Sequence, residues 1–179
     1  MKKINGVIQA WCTYDLANSV YNLVINTAIF PIYYTAITSV NSDDKVNFFG
    51  FDIVNSVLYS YATSLSYLIS ALLLPILSGI ADYTGNKKKY LKIFTYLGAF
   101  ACIGLFFFTD EKVLEWGIFC VMLASIGYSS GLVFYDAYLP EIAPKNMTDR
   151  ISAKGFSYGY AGSVVLLLIS IFITQKYEM

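Results

Sequence analysis

Ser78-Gly-Ile-Ala-Asp82-Tyr-Thr-Gly85-Asn-Lys87-Lys-Lys89 is a short polar and basic turn set between two apolar runs, Val57–Ile80 and Tyr90–Phe108. Each flanking run is long enough to cross a bilayer, and short loops rich in Lys face the cytoplasm. The turn therefore fixes both a class and an orientation. The class is a polytopic membrane protein, and the orientation puts this turn inside.

Composition agrees. Hydrophobic residues make up 57% of the 179 and charged residues 13%, and the mean hydropathy is +0.58. A soluble domain carries about 45–50% apolar and about 25% charged residues. The formal net charge is zero and the pI about 6.2, so the chain lacks the basic face that nucleic-acid binding needs.

Working outward from the turn, five apolar runs appear: 7–34, 57–80, 90–108, 116–139 and 156–173. At about 1.5 Å per residue, about 17–25 residues cross a hydrocarbon core of about 30 Å. In lipid the backbone must bond within its own segment, so each run is an α-helix. The alternating ten-residue pattern of a β-barrel is absent. The expected fold is an all-α bundle of five transmembrane helices in one membrane domain over residues 1–179, with loops at Thr35–Ser56 and Pro140–Gly155.

With the N-terminus inside, the cytoplasmic positions hold nine basic residues: Lys2, Lys3, Lys87, Lys88, Lys89, Lys92, Lys145, Arg150 and Lys154. The outer side keeps three, Lys45, Lys112 and Lys176. That bias predicts a cytoplasmic N-terminus, with Met179 outside and the chain in the cell membrane. The first run exceeds the core of a cleaved signal peptide and is interrupted by Asp15, so it belongs to the mature fold. Cys12, Cys102 and Cys120 all fall in spans without paired spacing, and the chain has no His. Neither a disulfide framework nor a metal centre is expected, and no cofactor. The absence of a nucleophile–base pair argues against an enzyme.

Two polar stripes carry the functional reading. In the first span Asp15, Asn18, Asn22 and Asn26 recur at i, i+3, i+7 and i+11, one face of a helix, with Ser19 beside them. Buried polar groups in a membrane either line a wet cavity or bond neighbouring helices as packing glue, and both readings stand for these residues. In the fourth span Ser125, Ser129, Leu132 and Asp136 share a face, flanked by Tyr128 and Tyr135. Asp136 lies near the cytoplasmic end, where it either pairs with Lys87 or Arg150 or forms a second anionic site. Gly127 and Gly131, and then Gly155, Gly159 and Gly162, are spaced for close helix packing. Tyr33, Tyr34, Tyr59, Tyr61 and Tyr90 fit an interfacial aromatic belt. Pro140 and Pro144 bracket the end of the fourth helix, and Thr148 is placed to cap the next.

The opening turn resembles the signature loop of the major facilitator superfamily, which runs small-x-x-x-Asp-basic-x-Gly-Arg-basic between helices two and three. Trp11-Cys-Thr-Tyr-Asp15-Leu-Ala-Asn18-Ser-Val-Tyr-Asn22 resembles the first helix of that superfamily's vacuole-effluxer-like branch, the autophagy-related amino-acid effluxers. Phe134-Tyr-Asp-Ala-Tyr-Leu-Pro140-Glu-Ile-Ala and Asp149-Arg-Ile-Ser-Ala-Lys-Gly155-Phe-Ser-Tyr-Gly159-Tyr-Ala-Gly162 fit the same branch. The resemblance implies secondary-active transport of a small solute, with amino acids as the substrate class. It places helices one and four along the central cavity, with Asp15, Asn18, Asn22, Asn26, Ser125, Tyr128 and Ser129 as cavity candidates. It assigns a cytoplasmic gate to Ser78, Asp82, Gly85, Lys87 and Asp136. Three positions depart from the signature: Tyr83 follows the loop Asp, Asn86 follows Gly85, and Ser78 leads. The fourth span also lacks the Arg that many proton-coupled members carry.

The superfamily is built from two six-helix halves with the substrate site between them. A chain that stops after the fifth helix is expected to be a fragment, or to assemble with a second chain that supplies the remaining helices. The alternative function is a non-transporting accessory membrane subunit.

Overall fold

In the computed structural model, which describes residues 2–39 and 44–177, helices dominate the chain. They are α1 (Lys2–Val20), a π-helical stretch (Tyr21–Ile29), α2 (Phe30–Thr38), α3 (Asn55–Thr84), α4 (Lys87–Leu105), α5 (Leu114–Ile142) and α6 (Thr148–Tyr177). A short 3-10 turn, Glu111–Val113, leads into α5. The expected terminus at Met179 lies outside the described residues.

Four segments are long and apolar enough to cross a membrane: Gly6–Thr38, Asn55–Thr84, Glu111–Ile142 and Thr148–Lys176. The remaining helix, α4, has 19 residues, about 28 Å of helix. Its charge is confined to Lys87, Lys88, Lys89 and Lys92 at one end, where long basic side chains reach the interface. The chain is thus a multi-pass membrane bundle. The helices overrun the apolar runs at most ends, because a backbone that must bond internally in lipid keeps its ladder through the adjoining headgroup layer. At α4 the reverse holds. Phe106, Phe107 and Phe108 leave the helix, and their amides donate to the carbonyls of Ile103, Gly104 and Leu105.

The expected loop before α3 instead contains an antiparallel hairpin, β1 (Lys45–Phe48) with β2 (Phe51–Val54), pairing Lys45 with Val54 and Phe48 with Phe51. Asn55 N–H donates to Asp44 O at 2.9 Å and closes its base. Tyr34, expected in an aromatic belt, is 2% exposed, and its hydroxyl donates to Asn55 O at 3.0 Å. Asn55 in turn donates to the hydroxyls of Thr38 and Ser39. A side chain with a buried polar tip needs such a partner, which is what removes Tyr34 from the interface.

The chain forms two compact units. One comprises the chain up to Phe30 together with Tyr135 onward, and the other is Pro31–Phe134. In the first, α1 and α6 pack through glycines. A Cβ built at Gly155 would lie 2.5 Å from the Trp11 ring, one at Gly159 2.6 Å from Ser19 Oγ, and one at Gly162 2.6 Å from Leu16. Contacts advance along both helices in the same sense, so α1 and α6 run parallel. In the second unit Gly127 meets Gly98, where a Cβ would come within 2.5 Å of the Gly98 nitrogen. Ala81, Phe94 and Phe134 form the core there, covered by Leu74, Leu77, Tyr90 and Leu97 among others.

Pro140 lies inside α5, which ends at Ile142, two residues short of Pro144. Thr148 is the first residue of α6. Its hydroxyl donates back to Pro144 O at 3.3 Å, where a cap would have accepted from an amide ahead of it.

Candidate functional site

In the first unit the α1 stripe is built around Asp15. The residue is 4% exposed, and its Oδ1 accepts from Ser19 Oγ at 2.9 Å. Gly159 of α6 leaves the room: a Cβ there would stand 3.0 Å from Asp15 Oδ2. Asn18 follows one turn on, accepting from the Tyr14 hydroxyl at 3.5 Å. Its Nδ2 is buried without a partner among the described residues. Turning the amide over leaves the other end of the group in the same position, since Tyr14 offers a single hydroxyl.

Beyond Val20 the winding changes. The π-helical stretch closes backbone i→i+5 bonds, as where Phe30 N–H donates to Ile25 O, and the Thr27 side chain adds a bond from its Oγ1 to Asn22 O at 2.8 Å. Pro31, which has no N–H to give, follows directly on the return to α. A π turn takes more residues than 3.6, so the alignment expected from α periodicity does not carry through to Asn26. The stripe divides into Asp15, Asn18 and Ser19 in α1, and an Asn22–Asn26 pair in the π stretch, linked at 3.4 Å. Asn22 is exposed and Asn26 half-buried.

Tyr135 of α5 completes this surface. Its ring stacks on Trp11 at 4.1 Å and 7° and on Tyr14 at 5.2 Å, while Trp11 Nε1 donates to the Tyr135 carbonyl at 3.1 Å. The Tyr135 hydroxyl is buried and has no partner among the described residues. It sits over Gly155, 2.8 Å from where a Cβ would be. Asp136, next in the chain, is exposed. At the edge of the same unit Lys154 Nζ donates to Gln9 Oε1 at 3.1 Å, and Gln9 Nε2 donates to Tyr158 at 3.0 Å.

In the second unit Ser125 is fully buried, and Ser129 lies 2.8 Å from Ser70 of α3, hydroxyl to hydroxyl. Ser129 also donates to Ser125 O at 2.9 Å. Tyr128 is half-buried. The serine stripe of α5 thus meets α3, whose buried face runs Asn55, Leu58, Ala62, Ser66 and Ser70.

The turn after α3 also belongs to this unit. Gly85 has φ +67° and ψ +19°. Asn86 N–H donates to Ala81 O at 3.1 Å and Gly85 N–H to Asp82 O at 3.4 Å, the paired bonds of a Schellman ending. Only glycine takes that φ without strain. Because the turn uses just Gly85 and Asn86, Lys87 returns beside Asp82, with Nζ 2.9 Å from Oδ1. Asp82 is 63% exposed, and an ion pair so open contributes about 0–1 kcal/mol. Ser78 lies one turn before Asp82, its hydroxyl donating to Pro75 O at 3.2 Å.

The sequence reading puts Asp15, Asn18 and Ser19 on one face of α1, as the structure does, and it names Asp136 rather than Asp82 as the acid for Lys87. It names Tyr135 only as a flank of the α5 stripe, and omits Ser70 and Gly98. A row of small residues along α3, and a glycine in α4 able to face Gly127, were the available signals. Among the described residues no group of three or more His, Cys, Asp or Glu could share a metal ion.

A family model described as "Vacuole effluxer Atg22 like" matches residues 5–179. An uncharacterized MFS-type transporter, YxiO of Bacillus subtilis, is 37% identical over 172 residues, covering 96% of this chain and 38% of that protein. Autophagy-related protein 22-2 of Penicillium rubens is 35% identical over 92 residues, 51% of this chain and 15% of that protein. The chain thus spans well under half the length of these curated relatives. No solved structure matches it.

Proposed function

Because this chain belongs to the vacuole effluxer Atg22-like family, we propose that it works as the N-terminal part of a secondary-active transporter of the major facilitator type. The substrate is a small solute of the amino-acid class. One observation carries the site: among the described residues two buried donors, Asn18 Nδ2 and the Tyr135 hydroxyl, stand without partners in the unit that holds the buried carboxylate of Asp15. Leaving a buried donor unpaired costs about 1–3 kcal/mol, and a polar ligand or water relieves that cost. Asp15 supplies the negative charge for a cationic group of the ligand, while Asn18 and Tyr135 supply hydrogen bonds for an anionic or carbonyl group. Asn22 and Asn26 extend the polar path along the membrane.

Family resemblance assigns Ser125, Tyr128 and Ser129 of the second unit a cavity-lining role of their own. Ser78, Asp82, Gly85 and Lys87 act as the cytoplasmic gate loop, to which Asp136 is assigned by family resemblance. The chain lies in the cell membrane with its N-terminus cytoplasmic, supported by nine basic residues on that side against three. A second chain or segment supplies the rest of the cavity wall, as the relatives' greater length suggests.

Uptake of a labelled amino-acid mixture into proteoliposomes tests this reading, with the chain alone and paired with the chain or segment that supplies the remaining helices. Accumulation above protein-free liposomes with the pair is expected. None in either preparation sinks transport in favour of an accessory subunit.

A further inference from the structure

The turn of the β1–β2 hairpin is made by Phe49 and Gly50, both at positive φ, +50° and +87°. Two-residue turns of this kind favour Asn-Gly or Asp-Gly, because the first position must also enter the left-handed region. A bulky residue there is an outlier that costs about 1–3 kcal/mol. The rest of the turn is well made: Asn47 Oδ1 accepts from Gly50 N–H at 3.0 Å, and Asn47 Nδ2 donates to Asp52 Oδ1 at 3.1 Å. Phenylalanine thus occupies the one position where Asn would be cheaper.

The ring finds little recompense inside the molecule. Phe49 is 73% exposed and Phe51 72%, and Phe49 touches only its neighbour Phe48, ring to ring at 4.7 Å, among the aromatic contacts described. Residues paired across the hairpin point to one side, so Val46, Phe48, Phe51 and Ile53 share a face and Asn47 and Asp52 the other. Val46, at the base of the apolar face, is 1% exposed. Burial is therefore complete at the base and lost at the tip.

Position decides what covers the tip. The hairpin runs straight into α3, whose first residue, Asn55, closes its base. Its base is thus fixed at the level where a span begins. That level is marked again by the α4–α5 connection, which two further crossings return to the same side. Tyr33 donates to Phe108 O at 2.6 Å, and Phe106 and Phe107 beside it are 81% and 61% exposed. Tyr and Trp, apolar at one end and polar at the other, mark the membrane–water boundary, as Tyr33 does here, and Phe on an apolar face beside them buries in the headgroup–acyl boundary.

We propose that the hairpin is a membrane-interface anchor, with Phe49 and Phe51 inserted at the headgroup–acyl boundary of the phospholipid surface beside the start of α3. A four-residue strand reaches about 14 Å, so the hairpin touches lipid by lying along the surface.

The test uses the full chain in phospholipid nanodiscs, with Phe49→Trp compared against the parent, whose Trp11 and Trp116 emission is subtracted. Added emission that is blue-shifted, loses most of its intensity in lipid brominated near the headgroup end of its acyl chains, and resists aqueous iodide supports the anchor. Red-shifted emission quenched by iodide overturns it. So does blue-shifted emission that neither agent quenches, which means protein covers the tip. Phe49→Asn serves as the second variant: with the favoured turn residue and no lost contact within the chain, its thermal midpoint in detergent stays equal or rises. A lowered midpoint assigns the ring to the chain's own packing and overturns the proposal.

Discussion

Glycines at helix crossings are where a single atom decides packing. Gly127→Ala drives a Cβ to 2.5 Å from the Gly98 backbone nitrogen, where no rotamer can yield, and overpacking of this kind costs about 1–3 kcal/mol. Gly79→Ala meets nothing within 4 Å and gains about 0.5–1 kcal/mol by restricting the unfolded chain. Thermal unfolding in detergent should lower the midpoint of the first and hold or raise that of the second. Tyr135→Phe separates a site role from a structural one. Losing an unpaired buried hydroxyl leaves stability unchanged or improved, so a fall in substrate affinity with an undiminished midpoint locates the hydroxyl at the ligand. At this scale the sequence was readable wherever a polar or small residue recurred with helical spacing, as for Asp15, Asn18 and Gly159. Tyr34 was not readable, because its partner Asn55 lies across a hairpin that the sequence does not announce.

Helices came through the sequence because twenty apolar residues in a row admit no other membrane structure. The hairpin and the π stretch did not, each for a definable reason. Phe48-Phe49-Gly50-Phe51 lacks the Asn or Asp that flags a two-residue turn. The π winding of Tyr21–Ile29 alters hydrogen bonding without any compositional mark, and so moves Asn22 and Asn26 off the expected line. The α3–α4 turn shows the opposite case, a local rule obeyed in full. Gly85→Ala must hold φ near +67°, at a cost of about 1 kcal/mol, whereas Gly85→Asn is tolerated better. The midpoints of the two variants should fall in that order, and equal midpoints would mean that the turn relaxes out of its left-handed conformation.

Parity of the spans is a property of the whole chain. The glycine contacts between α1 and α6 advance in parallel, so an even number of reversals separates them. If α3 and α5 cross, α4 is expected to cross as well, despite its four lysines. Five crossings would put the two ends of the chain on opposite sides, and reporters fused before α1 and after α6 are then expected to respond in opposite compartments. Like responses would remove α4 from the membrane. The sequence supported five helices on hydrophobic length alone, and the packing direction supplies a reason independent of hydropathy. What length could not convey was the division into two units, because α1 and α6 meet across most of the chain's sequence. On the function proposed, the buried face of α1 around Asp15 receives the substrate. Amino-acid counterflow tests it, in proteoliposomes holding the chain together with the chain or segment that supplies the remaining helices, comparing Asp15→Asn with Gly79→Ala. Label is expected to accumulate in the parent and in Gly79→Ala and to fall about tenfold or more in Asp15→Asn, about 1.4 kcal/mol of binding; accumulation in Asp15→Asn equal to the parent would rule Asp15 out as the substrate contact.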